Sequence, residues 1–420
     1  MEPTPTGHDA PSITGDWGRT LREGFTWFFL ALGVLLRVLE YSDNRLLYKD
    51  EVSLLENLTA RPILDFHSTL TEEQLAPPGF LLIERLMARI PVDPRWSGRL
   101  FPLICSVASV FWFRRVAIAF GSPRAVPIAQ GLFAMADWLV YYASEIKQYS
   151  TDLLLALIAL DLTARIAAGG PRRRGAIPAL AVLGLVGVWF SYTLVFPLAT
   201  VGLYLWATSP GGPRRPTLGL LAMGVAWGVS FFGCYRLSHR ILSKGPFIWD
   251  WWDFAFLPLP PRSYDQVERV FWQLVNVCDS PADVVTPLGI VPSALLASAL
   301  FLVGLIRLGR RRPGGGWLLV GPILFALAAS ALHQYPFHGR LLVFLVPAIH
   351  LLVAEGAVAA TFLGWPGAFL AGVFLLTQPT LDTLFHRLVM HRQRPFDSHG
   401  DIRHDLLDHL DFQRQRAARS

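Results

Sequence analysis

Charge is scarce in this 420-residue sequence: Asp, Glu, Lys and Arg make up 16%, against 53% hydrophobic residues. Soluble globular chains carry about 25% charged residues, so the composition argues against one large water-soluble domain. Cysteine is scarcer still. Cys105, Cys234 and Cys278 are too few and too apolar in context for a disulfide framework, and the first two read as small hydrophobes within spans. There is no solenoid-type repeat. No cleavable signal peptide is expected, and the polar residues 1–23 read as a disordered cytoplasmic N-terminus. The net charge of +6 does not point to nucleic acid, because the arginines sit in short runs between apolar blocks and not on one amphipathic face.

What is present is a series of apolar blocks, each long enough to cross a bilayer, which takes roughly 20 residues. Fourteen Trp and 28 Phe suit membrane interfaces and lipid-facing helices. The expected fold class is all-α, a polytopic transmembrane helix bundle of about 11 spans. The spans fall near 24–41, 98–120, 125–143, 148–168, 176–193, 194–208, 217–236, 288–307, 316–333, 340–358 and 361–380, with a split at Phe196-Pro197. The membrane domain thus covers 24–380. Two long loops, 42–96 and 237–287, carry interfacial helices, and 381–420 forms a short tail.

Orientation follows from the excess of basic residues on the cytoplasmic side of membranes. Arg114-Arg115 with Arg124, Arg172-Arg173-Arg174, Arg214-Arg215 and Arg310-Arg311-Arg312 all fall inside if the N-terminus is inside. The same register places both long loops, the turns around Glu145 and His333, and the tail outside.

The outer segments hold the candidate chemistry. Asp50-Glu51 follows the first span and is either solvated charge or a general base, a metal ligand, or both. The amphipathic run Val52–Leu58 after it suggests a short helix on the membrane with the acids facing the bundle. Asp65 and His67 are ligands or polar loop residues. Pro77-Pro78 opens a second interfacial helix, read as Gly79–Ile90. The turn 141–150 contains Glu145, Lys147, Gln148 and Tyr149. A Lys on the outer face breaks the charge bias; a phosphate-like ligand explains it, and so does an interfacial Lys between Tyr anchors. The turn before the tenth span holds His333, Tyr335, His338 and Arg340. The Arg340 guanidinium fork suits a phosphate, and the histidines can titrate or bind metal. Asp137, Asp152, Asp161, His350 and Glu355 lie inside spans, where a charge marks a cavity or a structural pair; Asp152 sits one turn beyond Gln148-Tyr149. The aromatic run Phe247–Phe254 reads as a lid, a sugar-stacking surface or an interface anchor. In the tail, Ser398 and Asp401 have capping-box spacing before an apolar stripe, and His404 and Asp408 read as a solvated face before a metal pair.

Taken in order, Asp50-Glu51, the Pro77-Pro78 entry, the Arg99-Leu100 opening of span two, the Tyr142–Tyr149 turn and Arg340 resemble the C-type glycosyltransferase superfamily. The resemblance is to the branch related to protein O-mannosyltransferases and bacterial aminoarabinose transferases. It runs along nearly the whole membrane part; each motif is weak alone, and their order and shared outer placement make the set specific. The resemblance implies a polyprenyl- or dolichyl-phosphate sugar donor and inverting transfer of a hexosyl or pentosyl group. The acceptor, a lipid, glycan or protein, stands on the extracytoplasmic side of a bacterial plasma membrane. It implies Asp50 as general base, Glu51 as its support or a metal ligand, and Lys147 and Arg340 as holders of the donor phosphate. His333, Tyr335 and His338 would line that pocket with Glu145, Gln148 and Tyr149. No cofactor is implied beyond an optional divalent metal at Asp50 and Glu51. Two departures stand out: Ala76 occupies a position where some relatives have Lys, and the tail is short where many relatives carry a folded external domain.

A transporter or lipid flippase is the alternative, with Asp161, His350 and Glu355 as a translocation path. No inverted repeat or pair of broken helices supports it. An acyl or phosphoethanolamine transferase would need a His-rich or metal-binding constellation, which the scattered histidines fit poorly.

Overall fold

Proline, glycine and short polar runs cut the apolar sequence into rods, and those rods set the architecture. The computed structural model describes residues 13–65, 70, 74–209, 217–242, 250–312, 314–361 and 364–388. The described residues contain helices and connections and no strand. His67, the Arg214-Arg215 pair, Phe247–Trp249 and the tail helix expected around Ser398–Leu410 lie outside them.

In chain order the helices are α1 (Ile13–Ser42), α2 (Lys49–Thr59), α3 (Pro78–Met87), α4 (Pro94–Phe120), α5 (Ala125–Met135), α6 (Asp137–Tyr141), α7 (Tyr149–Ala168), α8 (Pro171–Gly187), α9 (Val195–Ala207), α10 (Leu218–Leu242), α11 (Tyr264–Asn276), α12 (Ile290–Arg311), α13 (Gly315–Ala331), α14 (Val346–Ala360) and α15 (Gly364–Leu388). Short 3-10 turns at Tyr142–Ser144 and Gly339–Leu345 lead into α7 and α14. Each apolar segment expected from the sequence contains a helix among the described residues, with breaks inside 125–143 and 176–193. Six helices are long and apolar enough to cross a membrane, and α5, α9 and α13 are shorter apolar helices.

Helix boundaries follow local chemistry. α4 starts at Pro94, ahead of the expected 98, because the Asp93 carboxylate accepts from Arg95 N (2.9 Å) and Pro94 needs no donor at a helix start. The expected span 125–143 is broken at Ala136, whose backbone is extended, and the freed Asp137 N–H donates to the Asp283 carboxylate at 2.6 Å. The expected split at Phe196-Pro197 falls earlier, in the 188–194 connection. Pro197 sits in the first turn of α9, where the missing N–H costs nothing; the polar Ser191-Tyr192-Thr193 makes the break.

The core is α14. Val346 to Val358 is buried throughout, so this rod is the axis around which the others pack. Its closest neighbour is α12, where Gly304 and Gly356 meet the carbonyls of Leu352 and Leu300; a Cβ at either position would overlap backbone. Small residues that let two backbones approach are a recurring device of helix pairs in lipid. Arg37 of α1 is buried and donates to Ser106 Oγ (2.9 Å) and to the carbonyls of Gly33, Ala134 and Phe133, tying α1, α4 and α5 together. At the opposite extreme α10 presents Leu218, Val225, Val229 and Phe232 outward.

The bundle has two polar ends. One gathers Arg115, Arg165, Arg307, Arg311 and Arg312 around Asp161, Glu355 and the α4–α5 turn. The other gathers α2, the connection before α7 and the entry to α14.

Candidate functional site

The α2 N-terminus favours carboxylates in its first turn, and Asp50 and Glu51 occupy it. Adjacent helical residues do not share a face, and these two have different fates.

Glu51 is fully buried. Its oxygens accept from Arg45 (2.7 Å), Arg99 (3.1 Å), Tyr48 N (3.0 Å) and Ile146 N (3.1 Å). Burial opposes its charge, but the two guanidinium groups and the two N–H groups outweigh it and hold its pKa below the usual range. Glu51 thus clamps the first outer loop, α4 and the α6–α7 connection. With both oxygens engaged it has no lone pair aimed outward. A divalent metal shared by Asp50 and Glu51 does not fit this arrangement, and the described residues hold no group of three His, Cys, Asp or Glu placed for a metal.

Asp50 points the other way. Its Oδ2 accepts from Arg340 Nη2 at 2.9 Å, and its side chain is 25% exposed. Lys147 stands beside it, donating to Gln74 Oε1. Burial resists ionisation of Asp50, but Lys147, Arg340 and the hydrogen bonds from Arg340 and Gln74 hold its pKa below the usual carboxylate range. Burial pushes the Lys147 pKa down, against the pull of Asp50 and Glu145.

Glu145 is buried beside this group with Oε2 lacking a hydrogen-bond partner. Burial, then the charge of Glu51, pushes its pKa up to about 7, against Arg340, Arg45 and Lys147. The Arg340 guanidinium lies 6.0 Å from the Tyr149 ring and 5.9 Å from the Trp252 ring. Tyr149 is buried against Tyr142, with ring centroids 5.0 Å apart, and Gln148 leaves Oε1 without a hydrogen bond.

Of the residues singled out from the sequence, Asp50, Glu145, Lys147, Tyr149 and Arg340 come together. His338 packs on Phe254 (5.1 Å) and Trp252 (6.4 Å) and joins the group through Trp252. Tyr335 donates from its hydroxyl to Leu341 O (2.7 Å), one residue beyond Arg340. His333 is exposed and stacks on Phe256, away from the carboxylates. Asp65 lies against Arg85, which donates to its carbonyl at 2.6 Å. Arg45 and Gln74 were not among the residues singled out from the sequence, and Trp252 was only as part of the aromatic run 247–254. Arg45 carried a usable signal, since like Lys147 it is a cation in a segment that the basic clusters lead one to expect on the outer face. Gln74 carried none, because its role depends on how two distant loops fold back.

An apolar groove of about 770 Å³ opens between α8 and α10, lined by Leu185, Trp189, Leu221, Val225 and Val229. Its outer end adjoins the Pro77-Pro78 entry: the Trp189 carbonyl accepts from Gly79 N (2.7 Å), and the Tyr192 hydroxyl donates to Ala76 O (3.0 Å). Gln74, bonded to Lys147, stands two residues before Ala76.

No family model matches the sequence, and no curated protein matches it. Solved structures do. ArnT, the aminoarabinose transferase of Cupriavidus metallidurans, superposes with a TM-score of 0.56 in its complex with undecaprenyl phosphate and 0.54 in the apo state. The identities are 15% and 16%, and each match covers 90% of this chain and 67% of ArnT. An Archaeoglobus fulgidus oligosaccharyltransferase, in complex with zinc and sulfate, matches with a TM-score of 0.47 and 12% identity over 88% of this chain and 52% of its own. The chain therefore shares the fold of ArnT.

Proposed function

We propose that this protein is a membrane glycosyltransferase that moves a monosaccharide from a polyprenyl-phosphate donor to an acceptor on the extracytoplasmic side. The observation that carries the reading is the Asp50–Arg340 pair at 2.9 Å with Lys147 beside it. A base and two phosphate-binding cations stand within one sugar's reach of each other.

In the reaction an acceptor hydroxyl gives its proton to Asp50 while its oxygen attacks the anomeric carbon. The bond from that carbon to the phosphate oxygen breaks, and polyprenyl phosphate leaves with the charge that Lys147 and Arg340 neutralise. The pairing of Asp50 with Arg340 gives the donor a second role. A phosphate that takes over Arg340 releases Asp50 from the cation that depresses its pKa, and the base strengthens once the donor is in place. The groove between α8 and α10 suits the polyprenyl chain, and its outer end adjoins Gln74 and Lys147. ArnT, whose fold this chain has, was solved with undecaprenyl phosphate bound.

The positions of the basic clusters support about 11 spans with the N-terminus inside, which places the Asp50 group outside and fits a bacterial plasma membrane. The transporter alternative loses its residues. Asp161 is paired with Arg115 (3.1 Å) and Arg165 (2.7 Å), Glu355 with Arg307 (3.5 Å) and Arg311 (3.6 Å), and the His350 ring contacts the Ala282 carbonyl (2.5 Å). Each is tied to a local partner, and they do not form a path.

The test is incubation of the purified protein with a panel of radiolabelled polyprenyl-phosphate sugars, wild type against Asp50→Ala. Hydrolysis or transfer that disappears in the variant is the expected result. No turnover with any sugar, together with lipid binding no better than a control membrane protein, rejects the proposal.

A further inference from the structure

The first turn of α7 carries a second buried carboxyl that the chemistry above does not use. Asp152 is 5% exposed, and its Oδ1 has no hydrogen-bond partner. The hydroxyls of Ser191 and Thr193, from the connection between α8 and α9, face its carboxyl, and they bond each other at 3.1 Å. Both are buried. No cation faces Asp152 among the described residues. A buried carboxyl oxygen left without a partner is costly, and a fold keeps one where something else completes the bond.

Tyr149 connects this pocket to the site. Its phenol lies in the field of Asp152 on one side and of Arg340, Glu145 and Asp50 on the other. Asp152 is three residues along the helix from Tyr149, a rise of about 4.5 Å, which is the width of one sugar ring. Tyr335 borders both Tyr149 and Asp152.

We propose that Asp152, Ser191 and Thr193 form the subsite that receives the hydroxyls of the transferred monosaccharide, and that the sugar carries no acid group. The proposal rests on the reading of the protein as a lipid-phosphate-sugar transferase. With the anomeric carbon beside the Asp50–Arg340 pair, a ring lying along Tyr149 extends toward Asp152. There a carboxyl and two hydroxyls supply both donors and acceptors for ring hydroxyls. A uronate would bury its own charge beside Asp152, Ser191 and Thr193 with no cation facing them to offset it, and is rejected.

The test measures binding to the full-length protein in nanodiscs. The probes are bare undecaprenyl phosphate and the same lipid carrying glucose, galactose, mannose, arabinose or glucuronate. Wild type is expected to bind at least one neutral glycolipid tenfold or more tighter than the bare lipid, and the glucuronate form no better than the bare lipid. Asp152→Asn and Thr193→Val are expected to remove that preference and leave bare-lipid affinity unchanged. The melting midpoint of Asp152→Asn should be no lower than that of wild type, because a carboxyl kept for a ligand does not hold the apo fold together. Arg340→Ala should weaken bare and glycosylated lipid alike, which reports on the phosphate reading separately. A wild type without preference, a preference for glucuronate, a preference that survives Asp152→Asn, or a midpoint drop with equal loss for every lipid overturns the subsite. If wild type binds neither bare nor glycosylated lipid, the donor reading fails and the subsite fails with it.

Discussion

Both ends of the helix bundle pair carboxylates with cations, and the two sets are built in opposite ways. At the end holding Asp161 and Glu355, the partner arginines are accessible: Arg115 is 43% exposed, Arg311 42%, Arg165 32% and Arg307 29%. These cations are partly exposed, and they pair with carboxylates that are buried in the bundle. At the other end the cations are more enclosed, with Arg45 10% and Arg340 22% exposed. The Arg99 side chain is 1% exposed and Lys147 6%. Removing an ion from water costs several kcal/mol even after relaxation. The same end leaves Glu145 Oε2, Gln148 Oε1 and Asp152 Oδ1 without hydrogen bonds. At the accessible end each carboxylate is paired with two arginines, although Glu355 Oε2 and Ser122 Oγ make no hydrogen bond, while the buried end holds groups that an anionic, hydroxylated ligand would complete.

The largest effect separates two neighbours inside the buried end. Asp50→Asn should lower sugar transfer by about 10²- to 10⁴-fold, the range for loss of a general base, with folded stability changed by less than about 1 kcal/mol. Glu51→Gln strips the anion from buried Arg45 and Arg99 and should cost about 3–5 kcal/mol of stability, read as a lower melting midpoint in detergent. A variant pair with these signatures exchanged would show that the two carboxylates have been given each other's roles.

Next in size are the cations. Arg340→Ala and Lys147→Ala should each reduce transfer by about 10²- to 10³-fold, as expected for a group that stabilises charge on the leaving phosphate. Arg340→Lys should retain part of the activity, because it keeps the charge and loses the fork. At the accessible end Glu355→Gln should leave transfer unchanged and lower the melting midpoint. Equal losses of transfer at both ends would abolish the functional distinction between them.

The contrast between the ends was only partly legible in the sequence. The apolar blocks located the helices, since each expected segment contains one, but not their internal breaks. The arginine clusters marked one end and the position of Asp50 the other. The break at Ala136 was invisible because its determinant, Asp283, lies far along the chain and supplies the acceptor for Asp137 N. The same limit hid the saturation of Glu51. In sequence Asp50 and Glu51 are interchangeable, and only the approach of Arg99 and Ile146 distinguishes them. Lys147 could be found because it violates a rule of membrane topology. Gln74 violates none and appears only once the loops are folded.

Glu145 offers a pH signature for the buried end. Its pKa rises from 4.5 to about 7 on folding, through burial and then the charge of Glu51. Between those values the folded protein holds a proton that the unfolded chain has released, so stability falls as pH rises through the window and levels off above it. Glu145→Gln keeps the neutral form at every pH. Its melting midpoint should match wild type near pH 4.5 and exceed it increasingly toward pH 8. Asp50, whose pKa is depressed, stays ionised across this range and adds no slope. A difference that is flat with pH would mean that Glu145 is already charged in the folded protein.

The smallest effect sharpens the accessible end. Asp161→Asn removes a carboxylate held by Arg115 and Arg165, but both arginines can turn to water or lipid phosphate, with side chains 43% and 32% exposed. The expected cost is about 0.5–1 kcal/mol, as for a solvent-reached ion pair. It should shrink further between about 0.1 and 1 M salt, over which the screening length falls from roughly 10 to 3 Å. The Glu51→Gln penalty should persist over the same range, since no solvent ion reaches Arg99 at 1% exposure. Melting midpoints of wild type and the two variants at low and high salt decide the matter, because a salt-insensitive Asp161 or a salt-sensitive Glu51 would mean that solvent access does not distinguish the two ends.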